Sequence, residues 1–417
     1  MSDAYLIVSL VGLGFTLLAL TSPRHPAALS FVVFMASWVT SELALFHVAW
    51  QAIATIVFVS LGALSATTGW IGLGVTALSW LGLWVAYRRH GGAGPLLEEV
   101  VRNAIPENLG DDPVPIGPTI PRRQLLSPFR MRTPDIEVVR NIAYGEHRRH
   151  RLDVYRHADA ATGRPVLLQI HGGAWVIGNK RQQGQPLMHD LATRGWVCVA
   201  PNYRLSPRAT FPDHLVDVKR ALAWTREHVH EHGGDPSFIA VTGGSAGGHL
   251  AALVALTPNR PELQPGFEDV DTSVSACVPM YGVFDFLDQH QVRRRASMRP
   301  FLQPFVMKCS PKACRERWEL ASPISQVNAD APPFFVVSSV HDTLTWVEDA
   351  RHFVQALRDV SSNPVLYAEL RHAQHAFDVM YTVRSAHVVH AIGRWLDYLW
   401  TARGIPVEQP AVPAAGR

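Results

Sequence analysis

The chain has 417 residues, 47% of them hydrophobic, and a net charge of +3, with only four lysines (Lys180, Lys219, Lys308, Lys312) among its 38 basic residues. It lacks a basic stripe interleaved with aromatics, so no nucleic-acid partner is expected. Its four cysteines fall in no C-x-x-C pair and at no zinc spacing, so neither a metal nor a cofactor is expected.

Asp3, Arg24, Glu42 and Arg88 are the only Asp, Glu, Lys or Arg residues in the first 88. Residues 4 to 23 make one apolar span. The 45 residues between Glu42 and Arg88 are free of such charge; as a single helix they would run about 68 Å, against roughly 30 Å of hydrocarbon. They must fold back, and Ser65-Ala66-Thr67-Thr68-Gly69 is the natural turn, giving spans near 44–64 and 69–87. Residues 27–41 are a shorter fourth span or a re-entrant piece. We expect a transmembrane region over 1–89 with four spans, or three if that piece is re-entrant, making the chain an integral multi-pass membrane protein in contact with membrane lipid. No basic segment precedes the first span, which argues against a cleaved signal peptide. Arg88, Arg89 and Arg102 follow the last span and only Arg24 lies in the first loop, so the positive-inside rule puts the large domain in the cytoplasm.

Residues 90–135 are rich in proline and glycine and read as a linker, with one short amphipathic helix around Leu96 to Ala104. From Ile136 strand-like and helical runs alternate. Strands are expected near Ile136–Ile142, Leu152–Tyr155, Val166–Ile170, Val197–Ala200, Phe238–Val241, Ala276–Met280, Phe334–Val340 and Val365–Glu369. Helices are expected over Leu215–His230, Ser245–Leu256, Val347–Val360 and Ala386–Trp400. Apolar strands spaced by helices predict an α/β domain, residues 136–402, with a mainly parallel sheet covered on both faces. Residues 403–417 read as a disordered tail.

Several polar and sulfur-bearing residues are assigned bland roles. Cys198 and Cys277 sit in apolar strand-like runs, where a thiol behaves as a small hydrophobe. Cys309 and Cys314 are read as two free thiols, to be bridged only in an oxidising compartment. His228, His230 and His232 alternate, which scatters them around a helix and forms no metal site. His147, His150 and His390 are assigned to the surface.

The chemistry is expected where strand Phe238-Ile239-Ala240-Val241 runs into Gly243-Gly244-Ser245-Ala246-Gly247-Gly248 and out into a helix. A serine on such a strand-to-helix bend needs small neighbours, and its hydroxyl would stand at a helix N-terminus that favours a developing oxyanion. Upstream, His171-Gly172-Gly173-Ala174-Trp175 follows strand Val166–Ile170. Two glycines at a strand end let backbone N–H groups point into a site, which an oxyanion hole requires. An acid and a base are expected on loops after the last strands in the chain order Ser, Asp, His; Asp342 and His375 meet that rule, with His372 the rival base.

These stretches, together with Asn202-Tyr203-Arg204-Leu205-Ser206-Pro207, Gly234-Asp235-Pro236-Ser237, Asp342-Thr343-Leu344 and His375-Ala376-Phe377, resemble the hormone-sensitive-lipase-like carboxylesterases of the α/β-hydrolase superfamily, over roughly Ile136 to Trp400. The membrane spans are similar to those of integral-membrane esterases of this group in actinobacteria. The resemblance implies an α/β-hydrolase fold. It also implies a nucleophile at Ser245, a base at His375, an acid at Asp342, an oxyanion hole from the amides of Gly172, Gly173 and Ala246, and a small-molecule or lipid ester of short to medium acyl length as substrate. An amidase or acyltransferase could use the same three residues, and a non-catalytic binding fold would have no need to keep them. Gly244 stands where many members have Asp, Ala174 where many have a third Gly, and Asn202 where Asp is usual. An insertion near 283–330 holds Phe284, Phe286, Leu287, Phe301, Leu302, Phe305, Val306 and Met307 beside Arg293, Arg294 and Arg295. It reads equally as a lid over an acyl pocket or as core.

Overall fold

The computed structural model describes residues 1–23, 27–105, 117–118, 120–131, 133–159, 162–293 and 297–403. Its centre is an eight-stranded sheet ordered β1-β2-β4-β3-β5-β6-β7-β8. The strands are β1 (Ile136–Ala143), β2 (Arg151–His157), β3 (Arg164–Ile170), β4 (Val197–Pro201), β5 (Gly234–Gly244), β6 (Ala276–Met280), β7 (Phe334–Ser339) and β8 (Val365–Leu370). β1 and β2 pair antiparallel, as do β2 and β4, and every later pairing is parallel. All eight strands expected from the sequence are present, and the fold is that of an α/β hydrolase.

Thirteen helices accompany the sheet among the described residues: α1 (Ser2–Thr21), α2 (Ala27–Glu42), α3 (Ala44–Ser60), α4 (Thr67–Gly91), α5 (Ala93–Arg102), α6 (Arg122–Leu125), α7 (Gln185–Thr193), α8 (Asp213–His228), α9 (Ala246–Leu256), α10 (Arg299–Leu302), α11 (Arg315–Leu320), α12 (Val347–Val360) and α13 (Val383–Thr401). Because side chains alternate across a strand, the sheet feeds two cores. Val166, Leu168, Val199, Ile239, Val241 and Val336 pack on one face with residues of α8, α9 and α12. Leu167, Cys198, Ala240, Val278, Phe335 and Val337 pack on the other with α7, α13 and α5. Every residue of α9 is buried, which explains its uniformly apolar sequence.

The N-terminal helices stand against one another. Tyr5, early in α1, donates to Thr55 Oγ1, late in α3, at 3.1 Å, and Phe15 faces His47, so α1 and α3 are antiparallel. Thr16 bonds Ser79 at 2.8 Å and Arg89 donates to the carbonyl of Leu20 at 3.0 Å, so α4 runs parallel to α1. Ser2–Thr21 and Thr67–Arg102 are long and apolar enough to cross a membrane, and the pair Leu29–Glu42 and Ala44–Ser60, bent by 88°, could count as a third crossing. Four spans are expected, or three with residues 27–41 re-entrant; the chain turns between α2 and α3 at Leu43, next to Glu42, which pairs with Arg384. The next turn falls near the expected place, with α4 starting at Thr67.

Other expectations need revision. The start of the supposed linker is structured: α5 buries Ala93, Leu97 and Val101, and its Glu98 pairs with Arg394 of α13 at 2.5 Å. Much of the remaining linker and the tail after Arg403 lie outside the described residues, as do Arg24, Arg294 and Arg295. In the insertion, Phe284, Phe286, Leu287, Leu302, Val306 and Met307 are buried in the main core and Phe305 is exposed, so the reading as core prevails over the lid. Cys309 and Cys314 are joined in a disulfide rather than free. His150 is buried against Asp217, 3.1 Å away, because Asp217 gathers Arg204 as well; His147 is exposed and His390 half-buried. Among the described residues no cluster suits a metal ion.

Candidate active site

Ser245 sits between the last residue of β5 and the first of α9, at φ 59° and ψ −121°. An L-residue at positive φ is strained; here the turn is pinned because the Ser245 amide donates to the carbonyl of Met280 at 3.0 Å, while its own carbonyl accepts from His249 at 3.0 Å. Ala246 opens α9, so its amide has no acceptor within the helix. Gly172 lies beside the serine: a Cβ there would be 3.2 Å from that of Ser245.

Parallel neighbours deliver the other two groups to the same edge. Asp342 follows β7 and His375 follows β8, and Nδ1 of His375 is 2.7 Å from Oδ2 of Asp342. Both residues are buried. The carboxylate is oriented by the amides of Leu344 and Thr345 on Oδ1, at 2.8 and 2.7 Å, and by the Thr345 hydroxyl on Oδ2 at 2.7 Å. Such a carboxylate keeps the proton of the imidazole on Nδ1 and leaves Nε2 as the basic nitrogen. His372, the rival base, is exposed and faces His341.

Gln374, which sequence reasoning passed over, ties the two loops together. Its Oε1 accepts from the amides of His375 and Thr343 at 2.8 and 2.9 Å, and its Nε2 donates to Ser37 of α2 at 2.8 Å. Helix α2 continues over the site. Phe34 presents its ring edge-on to His375 with centroids 5.5 Å apart, and Trp38 donates to the Ala376 carbonyl at 2.9 Å. Glu42 pairs with the buried Arg384, whose guanidinium also donates to the His372 carbonyl at 2.8 Å. Only the weak signal of a polar Ser37, Trp38 and Glu42 in an apolar run could have hinted at this.

The missing side chain at Gly244 is also explained. A Cβ there would run into the ring of Tyr281, with the nearest ring carbons at 2.6 and 2.8 Å. Tyr281 instead occupies that space, donates to Asp378 and packs against His375 with centroids 4.7 Å apart. Burial pushes the Tyr281 hydroxyl well above its ordinary value and the Asp378 carboxyl up as well.

In the glycine loop, Gly173, Ala174 and Trp175 all have positive φ, at 114°, 50° and 62°. The Gly172 amide donates to Gln183 Oε1 at 2.6 Å. The Gly172 amide, expected in the oxyanion hole with those of Gly173 and Ala246, is thus engaged by a side chain of the protein in this structure. Beneath the loop, His171 stacks on Tyr203 at 4.3 Å, and burial lowers its pKa to about 4. His249, on α9, accepts from the Trp175 indole at 3.2 Å and donates to the Ala321 carbonyl at 2.7 Å; burial lowers it to about 3. Both imidazoles are neutral struts. Asn202 accepts from the Lys180 amide at 2.8 Å, a role an aspartate could also fill.

Residues 152–357 match the BD-FAE family. Among curated proteins the chain is similar to "Probable carboxylic ester hydrolase LipM" and "Esterase LipQ" of Mycobacterium tuberculosis, 52% and 48% identical over 266 residues, which is 63% of this chain in each case and 62% and 63% of those proteins. The match thus spans less than two thirds of these relatives. Among solved structures it is similar to a thermophilic esterase of Thermogutta terrifontis, Est2, with TM-score 0.51 and 24% identity over 64% of this chain and 92% of that one; at that identity the likeness speaks for the fold. The domain built on the eight-stranded sheet has the α/β-hydrolase fold, and the proteins it is similar to in sequence are carboxylic ester hydrolases.

Proposed function

We infer that the chain is a membrane-anchored serine hydrolase of carboxylic esters, held in the bilayer by its N-terminal helices. The observation that carries the reading is the buried hydrogen bond between Asp342 and His375 at the strand edge where Ser245 stands in its strained turn. Ser245 Oγ attacks the ester carbonyl as its proton passes to Nε2 of His375. The C–O bond to the alcohol then breaks and His375 returns the proton to the leaving oxygen. Water, deprotonated by the same imidazole, attacks the acyl-serine; the acid leaves and Ser245 regains its proton. Asp342 holds the Nδ1 tautomer and stabilises the imidazolium. The amides of Gly173 and Ala246 hold the oxyanion, and loss of one such donor costs about 10²- to 10³-fold in turnover. The Gly172 amide fixes the loop through Gln183. The relatives' names support an ester as the substrate.

The test uses detergent-solubilised full-length protein. A fluorophosphonate should label the wild type and not Ser245→Ala, which should keep its melting temperature and lose hydrolysis of p-nitrophenyl esters. Activity retained in Ser245→Ala would end this reading.

A further inference from the structure

Helix α2 has two unlike faces. Phe34, Ser37, Trp38 and Glu42 recur at helical spacing and meet the domain at His375, Gln374, Ala376 and Arg384. The other face carries Phe31 and Val32, exposed by 60% and 63%, with Leu29 and Met35 beside them. Apolar side chains gathered on one face need a cover other than water. The neighbouring helices indicate which: α1, α3 and α4 also expose large apolar residues, Ile7, Ile56 and Leu81 among them. Because α2 meets α3 at 88°, α2 lies in the membrane plane when α3 stands along the bilayer normal. Hydrocarbon that covers α3 is then continuous with the outer face of α2, and α2 separates it from His375 by the width of one helix.

We propose that α2 is an interfacial helix roofing the catalytic site, and that the substrate is an acyl ester dissolved in the bilayer, which reaches Ser245 alongside Phe34 and Trp38 instead of from water. The proposal rests on the esterase reading above and names its substrate class. Phe34 sets an apolar ring edge-on against the base, so an acyl chain that runs along α2 would meet it beside the imidazole. Phe34 and Trp38 are positioning residues; the reacting atoms belong to Ser245, His375 and Asp342.

Two measurements on the full chain reconstituted in phosphatidylcholine vesicles test this. Cys198 and Cys277 are buried and Cys309 is bridged to Cys314, so Val32→Cys supplies an accessible thiol for an NBD label. The label should emit in the blue-shifted range and be quenched by nitroxide lipids but not by iodide; water-like emission quenched by iodide overturns the proposal. Second, rates on vesicle-embedded dioleoylglycerol and on p-nitrophenyl acetate in water are compared for the wild type and Phe31→Glu/Val32→Glu. Carboxylates on the lipid face should cut the vesicle reaction about tenfold or more and leave the soluble reaction within about twofold. A parallel change in both, or an unchanged vesicle rate, overturns it. A wild type that hydrolyses only the soluble ester defeats the bilayer-substrate proposal alone, whereas one that hydrolyses neither and resists fluorophosphonate defeats the esterase reading with it.

Discussion

The indole of Trp38 donates to the carbonyl of Ala376 at 2.9 Å, across 338 residues of sequence. The acceptor belongs to Ala376, the residue after His375, at a positive φ of 61°, so the first helices and the loop after β8 brace each other. Gln374 strengthens the link by joining Ser37 to the amides of His375 and Thr343.

Gln374→Ala removes the acceptor of two buried amides. The expected result is a fall in kcat of about 10- to 100-fold with KM nearly unchanged, about 1.4 to 2.7 kcal/mol. Gln374→Glu keeps the acceptor while it loses the donor to Ser37 and adds a buried carboxyl, so it should recover part of kcat, more so below neutral pH. Steady-state kinetics on p-nitrophenyl esters checks both, and a Glu variant as slow as the Ala variant would refute the role given to Oε1.

Gly244→Ala drives a methyl into Tyr281 and through it disturbs His375. Overpacking of this kind costs about 1 to 3 kcal/mol, so the melting temperature should fall along with kcat. In a Tyr281→Ala background the same change should cost less than in the wild type. Equal costs in the two backgrounds, read by thermal unfolding, would break the proposed link between these residues.

Stability should decline in acid. Burial holds His171 at about 4, His214 at about 4 and His249 at about 3, below the value near 6.5 of an unfolded histidine. Between these limits the unfolded chain binds more protons than the folded one, so folding weakens as pH drops, by up to about 1.4 kcal/mol per pH unit for each group. Unfolding midpoints should therefore fall from pH 6.5 towards pH 4, and His249→Gln should flatten the slope. A slope unchanged by His249→Gln would show that this imidazole is not the neutral strut described.

The bridge between Cys309 and Cys314 pulls against the arginines at the end of α4 and in α5. Disulfides persist in oxidising compartments, whereas Arg88, Arg89 and Arg102 favour the cytoplasmic side. Mass spectrometry after acid quench and alkylation without reductant should find both sulfurs unmodified. Alkylated Cys309 and Cys314 would instead leave the cytoplasmic placement of the domain standing.

The eight strands and the loop positions of Ser245, Asp342 and His375 were legible because each rests on local signals. Continuous apolar runs mark strands buried on both faces, and small residues around a serine mark a bend that larger ones would block. The partner of the Gly172 amide was not legible because it is a tertiary matter: nothing local says that Gln183, 11 residues on, will accept from it. The insertion stayed open between lid and core for a similar reason, since aromatic composition is the same whether Phe284 and Phe286 cover a pocket or fill a core. The 88° bend between α2 and α3 was likewise not legible, since the pairing of Glu42 with Arg384 beside it joins segments far apart in sequence.

Sequence alone determined the eight strands, four of the helices that cover them and the chain order of the three chemical groups, because hydrophobic periodicity and backbone strain act between near neighbours. Only the tertiary structure decided what faces the site. The contacts of Phe34, Ser37, Trp38 and Glu42 with the 374–384 region join residues more than 330 positions apart, and such packing depends on shapes that exist only once both segments have folded.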